Sequence, residues 1–117
     1  MIVTGDVAIA SDDRFTFVDF PREIRERPWV VNLEGPISPV IDPSPSGGLS
    51  NANDWWQSFE GFNVAGATLA NNHIHDLPNG IEQTRLLLKE SGLISVGAGT
   101  NLLEAAQPAI VKEGKAE

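Results

Sequence analysis

NVAGATLANNHIHDLPNGIEQTRLLLKESGLISV, residues Asn63–Val96, holds a strand pattern, a helix pattern and a second strand pattern in that order. Asn63 to Ala70 and Leu93 to Val96 are short apolar runs, and between them Gly80 to Ser91 places Ile81, Thr84, Leu88 and Ser91 at helical spacing. Asn79 is set to cap this helix, with Glu82 three residues later reaching back to the cap. Gly92 stands where a left-handed terminating residue belongs. Two strands joined through a helix form a parallel crossover unit, which puts the chain in the α/β class.

The same alternation extends outward. Ile2 to Ala10, Trp29 to Leu33 and Ala109 to Val111 are three further strand candidates. A second helix is expected from about Ala52 to Phe59, with Trp55 and Phe59 on one face and Asn51 or Ser50 as cap. Trp55, Trp56 and Phe59 read as core or as a lid rather than as a stacking platform, since they have no basic companions. One-to-two-turn helices are expected at Arg22 to Arg27 and Leu102 to Gln107, ended by Pro28 and Pro108. Pro36 to Ser50, with four prolines and the pair Gly47-Gly48, reads as a long loop, and loops of this length are usually functional or disordered.

The 117 residues fit one globular domain or part of one, able to bury roughly two-thirds of its extended surface. Absence of cysteine excludes disulfides, thiolate metal sites and a cysteine nucleophile. A net charge of -8, with no basic cluster beyond the spaced Arg22, Arg25 and Arg27, argues against nucleic acid as a partner. Neither a signal peptide nor a membrane-length apolar run is read in this chain, so localisation stays open. After Ala109-Ile110-Val111 the chain runs through Lys112-Glu113-Gly114-Lys115 without a closing helix or strand, the expectation for a cut through a larger domain.

Three segments put polar side chains directly after an apolar strand: Gly5-Asp6, Asn32-Leu33-Glu34-Gly35-Pro36, and Asn71-Asn72-His73. In an open parallel sheet the carboxyl ends of the strands form the binding rim, so an Asp, a Glu and an Asn-His pair are expected on one edge. Oxygen and imidazole donors from separate strands are what a hard or borderline divalent cation takes where thiolates are lacking. Each segment also has a plain reading: Gly5-Asp6 as a turn, Glu34 as a solvated loop carboxylate, and Asn71-Asn72-His73 as an Asx-turn. His73-Ile74-His75-Asp76 matches neither of the two common His-x-His metal patterns, one for its spacing and one for its place after the third strand.

Taken in order, Val31-Asn32-Leu33-Glu34-Gly35-Pro36-Ile37, Ala70-Asn71-Asn72-His73 with Asp76, Gly80 to Leu88 with Thr84, Gly97-Ala98-Gly99 with Asn101 and Glu104-Ala105, and Pro108 form a recognisable series. From Gly5 to about Gly114 the chain resembles the bacterial capsule-synthesis CapA family, associated with poly-γ-glutamate synthesis and part of the calcineurin-like metallophosphoesterase superfamily. The resemblance implies a metallophosphoesterase-like α/β sandwich, here its N-terminal βαβ half, spanning residues 1–117 with the loop 36–50. It implies two divalent metal ions (Mn, Zn or Fe) held by Asp6, Glu34 and Asn72. It makes His73 the group facing the substrate oxyanion or leaving group and Asp76 its orienter or a cap on the next turn. Asn32 would support Glu34, with Asn71 a second supporting residue. The substrate would be a phosphate ester, an acyl phosphate or a polyglutamate chain. Partners would be a capsule-synthesis complex or a second copy of the chain, and the family is often membrane-associated and extracytoplasmic. Leu77-Pro78 departs from the family's usual aromatic-Gly pair, and the later histidines of the family site have no counterpart, so the chain alone is expected to be inactive. The alternative is a non-catalytic scaffold or partner subunit of capsule polymer synthesis or export.

Overall fold

The computed structural model describes residues 1–10, 16–39 and 48–113. Four strands, β1 (Ile2–Val7), β2 (Trp29–Leu33), β3 (Val64–Thr68) and β4 (Ile94–Val96), form one sheet in the order β1-β2-β3-β4. Every neighbouring pair is parallel, as the α/β reading requires. With the right-handed crossovers that parallel units adopt, a consecutive order lays all connections on one face of the sheet. Burial follows that geometry. Val31, Leu33, Ala67 and Leu69 alternate toward this face and join Phe59 and Leu88 in a single core.

Helix α2 (Gly80–Glu90) packs beside β4 and buries Thr84 and Leu88, which the expected spacing had placed on one face. Gly92 ends it with a φ of 75°. The expected capping box is not formed. Asn79 has a φ of 55°, outside the extended geometry a capping residue needs, and its side chain makes no cap bond.

The second expected helix is shorter and tighter. Asn51 pairs in extended geometry with Ile37, its N–H donating to the Pro36 carbonyl at 2.8 Å, and the Ala52 N–H donates to Ile9 at 2.7 Å. Those bonds hold Asn51 and Ala52 out of a helix, so a 3-10 helix begins only at Trp55 and ends at Phe59. Trp55 and Phe59 lie in the core, while Trp56 is half exposed. The short helices are α1 (Arg22–Arg25) and α3 (Leu102–Ala105), the latter capped by the Asn101 side chain, which accepts from the Glu104 N–H.

Ala109 to Val111 is not a strand. Pro108 supplies no backbone donor, Ile110 is exposed, and the segment leads instead to Glu113, whose carboxylate binds Arg27 and the Met1 ammonium. Of the long loop, residues 40–47 lie outside the described residues, and its beginning is anchored: Pro36, Ile37 and Ser38 are buried. At Gly66 an added Cβ would sit 2.3 Å from Ile94 Cγ1 and 2.5 Å from the Ile94 carbonyl oxygen, so β3 and β4 meet there only because the side chain is absent. Among the described residues no helix is long and apolar enough to cross a membrane.

Candidate active site at the carboxyl rim

Register aligns Asp6 of β1 with Asn32 of β2 and Asn32 with Thr68 of β3. Paired residues on neighbouring strands share a face. Their side chains therefore link in a row: the Thr68 hydroxyl donates to Asn32 Oδ1 at 3.1 Å, and Asn32 Nδ2 donates to Asp6 Oδ1 at 2.5 Å. Asn32 thus supports Asp6 and not Glu34, contrary to the expected role. Glu34 lies one residue past the end of β2.

Glu34 is held through its backbone. The Glu34 N–H donates to the Val7 carbonyl at 2.9 Å, which joins the exits of β1 and β2. Asn71 closes the next gap: its Oδ1 accepts from the Gly35 N–H at 3.1 Å and its Nδ2 donates to the Leu33 carbonyl at 2.9 Å. The same Oδ1 accepts from the His73 N–H at 3.2 Å. That last bond is an Asx-turn, so the plain reading of Asn71-Asn72-His73 is present alongside the functional one.

The Asx-turn aims the His73 ring. Nδ1 lies 2.7 Å from Asp76 Oδ2, and Nε2 points toward the Glu34 carboxylate, 3.9 Å from Oε1. A carboxylate only accepts, so Nδ1 carries the proton toward Asp76 and Nε2 is the nitrogen offered to the rim. The hydrogen bond to Asp76 raises the His73 pKa above its ordinary value, with the charges of Asp76, Glu34 and Asp6 adding to it. Asp76 is held below the usual carboxylate range, first by the Leu49 N–H donating to Oδ2 at 2.7 Å and then by His73.

Asn72 lies between Asn71 and His73 in this turn. It is exposed and lines a shallow depression of about 430 Å³ with His75, Ala70, Gly97 and Gly99. His75 lines the same depression, whereas His73 turns to Asp76 and Glu34. The oxygen and imidazole donors suit a divalent cation in kind. In number they fall short: among the described residues no three His, Asp or Glu groups are gathered to hold an ion.

Sequence reasoning missed Asn51, which it offered, with Ser50 as the alternative, as a helix cap. Its side chain is fully buried. Oδ1 accepts from the Ile9 N–H at 2.8 Å, while Nδ2 donates to the Glu34 carbonyl at 2.8 Å and the Gly35 carbonyl at 3.2 Å. No local pattern announces it, because its partners lie far away in sequence.

Residues 18–117 match the sequence model of the bacterial capsule synthesis protein family PGA_cap. The chain belongs to that family. Capsule synthesis is accordingly its general role. Within this capsule synthesis protein the matched residues include Glu34, Asn71, Asn72, His73 and Asp76, whereas Asp6 precedes them. No curated protein and no solved structure gives a significant match to the chain.

Proposed function

We propose that this protein acts in capsule synthesis through a metallophosphoesterase-like hydrolytic site at the carboxyl rim of its sheet. The observation that carries the reading is the His73–Asp76 pair, with Nε2 presented to the rim beside Glu34. Asp76 fixes the ring and favours the imidazolium, so His73 is suited to protonate a leaving oxygen or to stabilise charge developing there. Asp6 and Glu34 supply negative charge on adjacent strand ends. Together with Asn72 they are the residues that would hold divalent ions, which would polarise a phosphoryl or carboxyl oxygen of the substrate. That substrate would be a phosphate ester, an acyl phosphate or a polyglutamate chain.

Among the described residues no three His, Asp or Glu groups gather, and a second reading, a non-catalytic scaffold or partner subunit, stands beside the first. Calorimetry with Mn²⁺ separates the two. The hydrolytic reading expects binding that Glu34→Gln weakens by about tenfold or more, through loss of a charged hard ligand. It also expects His73→Asn to lower metal-dependent hydrolysis by the protein by roughly 10²- to 10⁴-fold. Binding unaffected by Glu34→Gln would show that the ligands lie elsewhere, and no binding at all would favour the scaffold.

A further inference from the structure

We propose that Asn51 is a positioning residue that holds the Glu34 carboxylate at the rim. For the use of Glu34 the proposal rests on the hydrolytic reading above; for where Glu34 is held it rests on hydrogen bonds.

Through the turn Leu33-Glu34-Gly35 the backbone polar groups that leave β2 are taken up one by one. Asn71 takes the Leu33 carbonyl and the Gly35 N–H, Val7 takes the Glu34 N–H, and Asn51 takes the carbonyls of Glu34 and Gly35. The third function of the Asn51 amide, its oxygen, holds the Ile9 N–H just beyond β1. One side chain therefore ties together the exits of the two strands that carry Asp6 and Glu34. Its own backbone is fixed as well, between Pro36 and Ser38.

The geometry leaves no slack. Gly35 has a φ of 84°, and a Cβ there would lie 2.9 Å from the Leu49 carbonyl oxygen, so the turn is pressed against the strand-like approach to Asn51. Only an amide offers one acceptor and two donors at the end of a short side chain. Leu would fill the space without the bonds, and Asp would keep the acceptor and lose both donors. A buried network with every member satisfied is rigid, and a reacting constellation has to be held to about 0.5 Å.

Asn51→Asp isolates the claim because it keeps an oxygen for Ile9 while removing the grip on Glu34 and Gly35. The Glu34 and Gly35 N–H groups donate to Val7 and Asn71, so their exchange, followed by NMR without metal, reports whether the turn stays in place once its carbonyls are released; it should quicken at both by about tenfold, the loosening expected from a lost hydrogen bond in the turn, and stay unchanged at Ile9. Leu88→Ala, a core variant on α2 that removes none of these hydrogen bonds, serves as the stability control and should move all three amides alike. In a Mn²⁺ titration Asn51→Asp should weaken binding about as much as Glu34→Gln, and Leu88→Ala should not.

Unchanged exchange at Gly35 overturns the proposal, and so does quickened exchange with unchanged Mn²⁺ affinity. Quickened exchange in a protein whose parent binds no Mn²⁺ supports the anchoring of Glu34 and rejects the hydrolytic reading instead. If Asn51→Asp does not fold, the parent protein still decides: side-chain amide protons of Asn51 exchanging as fast as those of exposed Asn53 overturn the proposal, and strong protection supports it.

Discussion

At His73 two neighbours set the chemistry. The Asp76 carboxylate raises the ring pKa above 6.5, chiefly by the Nδ1 hydrogen bond. Asp76→Asn removes that cause, so the His73 titration should move down toward 6.5, which ring-proton NMR shifts would follow. If His73 is the acid, the alkaline limb of hydrolysis moves down with it, and an unmoved limb would assign the acid elsewhere. The stability linkage has opposite signs for the two partners. His73, raised on folding, contributes fully below its unfolded pKa, and the contribution is lost as pH rises through the folded value. Asp76, lowered on folding from 3.8, contributes above that value, and its share is lost as pH falls through the folded pKa. The pair is therefore most stabilising between the two, and His73→Asn should flatten the alkaline side of a stability-against-pH curve measured by urea unfolding. The placement of Asp6, Glu34 and His73 near the strand exits was legible in the sequence because each stands at the end of an apolar run or just beyond it. Asn51 was not, since its meaning lies in contacts with Ile9, Glu34 and Gly35 that only folding creates.

Among the elements, α2 shows how much of the packing one polar residue controls. Thr84 is fully buried in the helix face, and its Oγ1 accepts from the Ile37 N–H at 2.8 Å. Thr84→Val keeps the shape and removes the acceptor, stranding a buried donor at a cost of about 1–3 kcal/mol. Urea unfolding should show that loss, while Thr84→Ser, which keeps a hydroxyl, should recover much of it. Equal destabilisation by Val and Ser would mean that the methyl group and not the hydrogen bond matters. The strands and α2 were readable because periodicity and glycine punctuation agree there. The 3-10 helix was not, because the bonds of Asn51 and Ala52 to Pro36, Ser38 and Ile9 override the local preference for an earlier helix start. Likewise Asn79 has the composition of a cap and the backbone of a left-handed turn.

Over the whole molecule the described residues share one apolar core. Val31 and Leu33 come from β2, Ala67 from β3, Trp55 and Phe59 from the 3-10 helix, and Leu88 from α2. Segments that bury their faces against one another lose that burial together, so unfolding should be a single cooperative transition. Leu88 tests this, being 1% exposed and the α2 residue most deeply set among the apolar side chains of the core. Leu88→Ala should cost about 2–5 kcal/mol, a large share of the roughly 5–15 kcal/mol that a domain possesses. Two probes report on separate parts of the core: far-ultraviolet circular dichroism follows the helices, and tryptophan fluorescence follows buried Trp29 and Trp55. If one core holds both, the urea midpoints of the two probes fall together in the variant and remain coincident. A variant that loses helical signal at lower urea while its tryptophans stay in place would divide the core into two units. The carboxyl rim would then rest on β1 and β2 independently of α2, and Thr84 would no longer be needed to fix the segment that leads to Asn51.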